Sequence, residues 1–453
     1  MNYASVEFLA IFPFFCLLFW ALRGQRARQI ALLIASLAFY AYGEPLGMTL
    51  LVGVIATAYA AGLLMERLPG RQPLVVAVTV VVLLADLAFF KYSAFIASAL
   101  SLPPGVPTSP FLPLGISFFT FEAIAYVLDI KRGVSAPERS LLRLSLFVAV
   151  FPHLISGPIM RPGDFLPQMK RRIVWHLPTF VSGLQLFVEG FAKKRLIADT
   201  AGLVADAVFA APSGAGMAGA WIGALAYTAQ IYGDFAGYTD MGRGIARMLG
   251  FELPLNFSAP YTAVSITDFW RRWHISLSSW LRDYLYIPLG GSRRSDVRTY
   301  ANLIMTMLLG GLWHGAGWTF VAWGGYHGIL LALERRFGWP GRLPAWLSGL
   351  ITLFLVINGW VLFRAQSFTT FLEMIRTMYI PSSAPSPSLR DAAAGLGAFV
   401  IVVGGMLLIR IWPTFAERLR RSSALTGIAY GGATAAVILL APAATRAFIY
   451  FRF

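Results

Sequence analysis

The chain has 453 residues, 57% of them hydrophobic and 13% charged, with a formal net charge of +16. Soluble globular chains carry about 25% charged residues, so a large soluble domain is excluded and a polytopic membrane protein is indicated. The positive excess lies between apolar runs rather than in one tail, the pattern of loops that fix membrane orientation rather than of a nucleic-acid-binding surface.

The first apolar run, Phe8 to Leu22, lacks a basic leading region and a small-residue cleavage site, so it reads as a retained span. It holds Cys16, the sole cysteine, which rules out an intrachain disulfide or a cysteine-ligated metal site; the thiol is expected to be buried and inert. Further runs of spanning length follow at 29–43, 47–65, 73–91, 111–130, 141–158, 178–208, 217–249, 298–313, 317–334, 345–363, 392–411 and 424–442. The expected fold is all-α, with roughly 11–13 helices. Residues 1–453 read as a single integral membrane domain, because no soluble segment is left over.

The early loops alternate in charge. "LRGQRARQ", "ERLPGRQ" and "DIKRGVSAPERSLLR" are basic, whereas "YGEPLG" and "SLPPGVPTSP" carry no basic residue. Basic loops face the cytoplasm, which puts the N-terminus outside. By the same rule "ERLRRSS" is cytoplasmic, and "PSSAPSPS" and the final "FIYFRF" are external.

After the 141–158 run, "HLISGPIMRPGDFLPQ" is too short and proline-rich to span. It is either a re-entrant segment enclosed by protein or a plain loop. Further on, "SITDFWRRWHISLSSWLRDYLYIPLGG" opens on Ser265 with Asp268 three residues later, a capping-box spacing. Projected as one helix, it places Trp270, Trp273, His274, Leu277, Leu281 and Tyr284 on one face. Arg271, Arg272, Ser276, Ser279, Arg282 and Asp283 fall on the other. This is a basic amphipathic helix suited to a membrane interface, with His274 out of place on its apolar side.

"LLGGLWHGAGWTF" sets a second histidine, His314, among Gly310, Gly311, Gly315 and Gly317. Those glycines make room for a ligand or for a neighbouring backbone. Ionisable groups inside membrane spans are costly and usually serve function. Of the remaining three histidines, His176 sits in a basic loop and is expected to be solvated, His327 is a supporting or packing residue, and His153 begins the proline-rich segment. No Walker loop, dinucleotide fingerprint, HExxH zinc motif or nucleophile elbow is present. No histidine spacing specifies a metal. A histidine in such a setting suits general-base chemistry, taking a proton from a hydroxyl as it attacks an activated acyl carbonyl.

"FLPLGISFFTFEAIAYVLDIKRG", "FPHLISGPIMRPGDFLPQ", "YGDFAGYTDMGRGIARMLGFELPLNFSAPY", "DFWRRWHISLSSWLRDYLYIPLGG" and "LLGGLWHGAGWTFVAWGGYHG" occur in this order, with "FIYFRF" at the end. This set resembles the membrane-bound O-acyltransferase (MBOAT) family, and within it the bacterial alginate O-acetyltransferase branch. The resemblance implies helices around a central tunnel, with re-entrant and amphipathic elements. It implies a bacterial inner-membrane location and acyl transfer from a cytosolic thioester to a hydroxyl of an exported polysaccharide. It maps the family's catalytic histidine onto His314 and its second motif position onto His274.

The implied co-substrate is acetyl-CoA, with no permanently bound cofactor, and the implied partner is an extracytoplasmic acetyltransferase. Arg271, Arg272 and Arg282, with Trp313 and Gly317, are candidates for the donor site, alongside Arg293, Arg294 and Arg298 in "GGSRRSDVR". The same arginines are equally explained by orientation alone. D-alanyl transfer to teichoic acid from a carrier protein, a transporter and a recruiting scaffold are the alternatives.

Overall fold

The computed structural model describes residues 2–103, 105–381, 387–411, 423–442 and 446–449. Most of "ERLRRSS", the middle of "PSSAPSPS" and the end of "FIYFRF" lie outside them. The described residues are predominantly helical, with no strand among them.

Most of the long helices follow the apolar runs. The first are α1 (Val6–Ala21), α2 (Gln25–Gly43), α3 (Gly47–Arg67), α4 (Gln72–Leu87), α5 (Ser93–Ala99) and α6 (Ile116–Lys131). Then come α7 (Leu141–Ala149), α8 (Phe151–Leu154), α9 (Pro162–Lys170), α10 (Leu177–Ala192), α11 (Asp199–Ala210) and α12 (Gly216–Met248). The remainder are α13 (Ile266–Arg272), α14 (Ile275–Leu281), α15 (Asp296–His314), α16 (Trp318–Phe337), α17 (Ala345–Arg364), α18 (Phe368–Tyr379), α19 (Leu389–Ile411) and α20 (Ser423–Leu440). Serine caps start several of them: the side chains of Ser5, Ser140, Ser265, Ser295 and Ser367 each accept a first-turn N–H.

Among the described residues, four helical stretches are long and apolar enough to cross a bilayer: Gly47–Arg67, Pro69–Ala99, Ala345–Arg364 and Leu389–Ile411. A bent pair, Leu177–Ala210 with Pro212–Met248, could add a fifth. This is fewer than the dozen apolar runs, for two physical reasons. Some runs are short or broken: α1 has 16 residues, and the 141–158 run stops at Val150, where the backbone turns extended before Pro152. Others, such as α15, carry buried polar residues (Thr299, Asn302, Thr306 and His314) that lower their apolarity.

The chain forms two compact units, Met1–Phe187 with Thr239–Pro254, and Val188–Tyr238 with Leu255–Phe453. In the first, residues 151–160 are all buried, and 155–161 are non-helical. Glu122 on α6 holds this segment: its Oε1 accepts from Met160 N at 2.8 Å and lies 3.2 Å from His153 Nδ1. After α8, "ISGPIM" is therefore irregular backbone enclosed by protein and not a surface loop. Cys16 is buried in this unit, and His176 is exposed, bonded to Thr179 Oγ1 at 2.8 Å.

Candidate active site

The second unit carries the site. The segment read as one amphipathic helix is broken. Ser265 caps α13 as its spacing predicts, accepting from Asp268 N at 2.9 Å, while Asp268 Oδ2 accepts from Val264 N at 3.2 Å. Glu334, near the end of α16, takes the Ile266 N–H at 2.6 Å and also the Thr267 N–H at 3.3 Å. The α13 N-terminus is thus tied to α16.

The helix stops at Arg272, Trp273 is extended, and the break is completed at His274. Its φ of 44° and ψ of 54° lie in the left-handed region, and α14 begins at the next residue. A β-carbon makes that conformation unfavourable by about 1–2 kcal/mol, so the surroundings must hold it. Asn256, fully buried, does so. Its carbonyl accepts from Ile275 N at 3.0 Å, and its side-chain oxygen accepts from Ser276 N at 3.2 Å and Ser276 Oγ at 2.9 Å. Ser276 is consequently buried, contrary to the single-helix projection that put it on the polar face. The remaining residues of the projected apolar face are buried as expected, because α13 and α14 each keep their own helical register.

His314 ends α15, and its ring lies 6.0 Å from the His274 ring, centroid to centroid. Both are buried, at 3% and 0% exposure. Trp313 stands against both, 5.7 Å from His274 and 5.0 Å from His314. Trp323 and Phe363 meet His314 edge-on at 5.1 and 5.4 Å, and Phe235 meets His274 at 4.7 Å. The two histidines thus share one aromatic enclosure, drawn from α12, α14, α15, α16 and α17. His327 lies beyond Trp323, stacked on Phe269 and edge-on to Trp270. It is a packing residue of the enclosure wall.

The glycines around His314 serve protein packing. A β-carbon on Gly311 would sit 2.2 Å from the Phe320 carbonyl oxygen and 3.0 Å from the Gly324 backbone, and one on Gly315 would strike the Phe320 ring. Bare backbone at Gly311 and Gly324 lets α15 and α16 close tightly, which fixes the end of α15 where His314 stands. Gly317, at the start of α16, has an extended φ of −167°, and a β-carbon there would make only an ordinary 3.6 Å contact with Phe320.

The candidate donor-site arginines divide. Arg272 is committed to Asp268 at 2.8 Å, and Arg282 pairs with its neighbour Asp283 at 2.6 Å. Arg271 is exposed, with no carboxylate partner among the described residues. Arg293, Arg294 and Arg298 are exposed as well.

A second polar cluster was not singled out by sequence reasoning. Between α10 and α11 the helix widens to a π turn, Lys193–Ala198. That turn brings residues five apart into register, so Lys194 reaches Asp199 at 2.9 Å while Arg195 pairs with the same carboxylate. Lys194 also bonds Asp234 on α12 at 2.7 Å, and Asp234 accepts from Ile449 N at 2.7 Å. Two cations balance two anions inside the unit. Asp234 precedes Phe235, whose ring abuts His274, so the cluster braces the enclosure from behind. No spacing rule for an α-helix marks a Lys–Asp pair five apart; the clue was Asp234 within "YGDFAGYTD".

Fold and site together define a multi-pass helical membrane protein with a buried histidine pair in an aromatic enclosure. Comparison with known proteins places it further. The family model described as MBOAT, membrane-bound O-acyltransferase family, matches residues 138–338, a range that includes His274 and His314. The chain is 44% identical over 395 residues to the probable alginate O-acetylase AlgI of Pseudomonas putida, covering 84% of this chain and 80% of that protein. It is 38% identical to the peptidoglycan O-acetyltransferase of Helicobacter pylori, over 77% of this chain and 73% of that one. It is 27% identical to the teichoic acid D-alanyltransferase of Bacillus subtilis, over 56% and 69%. The chain belongs to the membrane-bound O-acyltransferase family and is an O-acyltransferase.

Proposed function

We propose that this protein moves acetyl from cytosolic acetyl-CoA across the bacterial inner membrane for O-acetylation of an exported polysaccharide, with His314 and His274 as its catalytic residues. The observation that carries this reading is the meeting of the two histidines, 6.0 Å apart and buried in one aromatic enclosure, on a chain 44% identical to proteins described as probable alginate O-acetylases.

In this reading a His314 ring nitrogen accepts the proton of the acceptor hydroxyl as its oxygen attacks the thioester carbonyl. The carbon–sulfur bond breaks, the thiolate leaves, and the proton passes to sulfur, giving the ester and free thiol. His274 positions the acyl carbonyl, its ring direction fixed by the left-handed backbone at its own residue. Trp313, against both rings, lines the path between them. Arg271 and the exposed Arg293, Arg294 and Arg298 offer charge to the phosphates of the donor. An extracytoplasmic acetyltransferase completes the modification.

The test is purified protein incubated with labelled acetyl-CoA and candidate acceptors, wild type against Arg271→Gln. The expected result is a raised KM for acetyl-CoA with kcat little changed, the mark of lost donor binding. An unchanged KM removes Arg271 from the donor site, and transfer from an acylated carrier protein but not from acetyl-CoA overturns the donor assignment.

A further inference from the structure

A groove of about 630 Å³ in the first unit shares no lining residue with the candidate active site. Its size falls within the roughly 300–1,000 Å³ range of ligand sites. It follows one side of α1 from Phe8 to Trp20 and is walled across from it by Trp175, Phe180 and Leu184. Leu17 and Leu184 on its rim are 71% and 46% exposed, so in a bilayer the groove opens to lipid.

From Phe8 to Trp20 the helix rises about 18 Å, close to the depth of one leaflet of a hydrocarbon core about 30 Å thick. One end differs in chemistry. Trp20 and Trp175 meet there edge to face at 5.0 Å, and Arg28 lies 4.9 Å above the Trp20 ring. Arg28 is held in place by backbone carbonyls, Ile173 O at 2.7 Å and Leu22 O at 3.2 Å. No carboxylate among the described residues pairs with it, nor with the exposed Arg23 and Arg26 in the same loop. Paired tryptophans and uncompensated arginines are the signature of the headgroup level. A half-buried guanidinium without a counter-ion favours an anionic ligand.

We propose that this groove binds one anionic glycerophospholipid, its acyl chain along α1 and its phosphate at Arg28, drawn from the leaflet on the basic-loop side. The charge at one end and the leaflet-deep apolar wall select an anionic lipid over a zwitterionic one.

Native mass spectrometry of the delipidated full chain, titrated with phosphatidylglycerol or phosphatidylcholine of matched chains, tests this. The expected result is one phosphatidylglycerol retained per chain with at least about fivefold preference. Arg28→Gln removes the preference, and Leu17→Trp, which fills the groove from its exposed rim, weakens both lipids. Arg67→Gln, an exposed cation at the end of α3, changes nothing. Glycerol phosphate without chains does not bind. Equal retention of the two lipids, or a preference untouched by both Arg28→Gln and Leu17→Trp, overturns the proposal. Leu17→Trp keeps the test valid if loss of the Arg28 carbonyl bonds impairs folding.

Discussion

His314 and His274 arrive in one enclosure by different means, one at the end of a helix and the other at a break between two. His314→Ala is expected to lower acetyl transfer by about 10²–10⁴-fold, the usual worth of a general base, while the protein still inserts. Acetyl content of the acceptor by mass spectrometry checks it, and normal content contradicts it. His274→Asn keeps a residue that tolerates the left-handed backbone, so the variant should fold and lose less activity than His314→Ala. His274→Val, β-branched at φ 44°, should in addition lower the melting temperature. His314 was legible in the sequence because an ionisable ring in an apolar, glycine-rich run is costly. The backbone at His274 was not. A helical projection assumes an unbroken helix, and the break depends on Asn256, 18 residues earlier in the chain, whose bonds form only in the folded unit.

Among the elements, the α15–α16 pair sets the end of α15, and Gly311 and Gly324 are where its backbones pack most tightly. Gly311→Ala is expected to cost about 1–3 kcal/mol through overpacking and to displace His314 three residues on, lowering activity beyond the stability loss. Gly317→Ala, with only a 3.6 Å contact to absorb, should leave the melting temperature unchanged; equal loss in both would refute the packing role of Gly311. The π turn gives a sharper prediction. Lys194→Met leaves Asp199 and Asp234 without their shared cation and is expected to cost about 3–5 kcal/mol, measured by thermal unfolding in detergent.

A third element is the basic loop before α7. Burial raises the Glu138 carboxyl, but hydrogen bonds from Arg143 and the Ser140 N–H, with the charges of Arg143 and Lys170, outweigh it and hold the group below its ordinary 4.5. A depressed carboxyl stabilises the fold above its unfolded pKa, and that contribution is lost as pH falls through the folded value. Hydrogen exchange, corrected for its intrinsic pH dependence, should show protection of 133–143 falling below pH 4.5. Glu138→Gln should show the loss already at pH 7; full protection in that variant would remove Glu138 as the clamp.

At the scale of the molecule, apolar patterning located nearly every long helix but not α5, α9 or α18, since a run that must be buried or face lipid leaves its length in the sequence. Among the described residues, fewer helices than runs are long and apolar enough to cross a bilayer, because patterning cannot separate a membrane crossing from an apolar segment enclosed by protein. The 141–158 run shows why. Its second half is apolar, yet it folds as the single turn α8 and buried irregular backbone held by Glu122 on a different helix. The cluster around Lys194 escaped for a related reason, since its pairing rests on a widened turn and on the distant α12.

The central claim is that the buried histidine pair carries out acetyl transfer from acetyl-CoA. Its most direct test is radiolabel appearing in acceptor polysaccharide after purified wild-type and His314→Ala proteins are given labelled acetyl-CoA with the extracytoplasmic partner. The account predicts label with wild type and background with the variant, at equal yield and equal melting temperature. Label at the wild-type level with His314→Ala would contradict it.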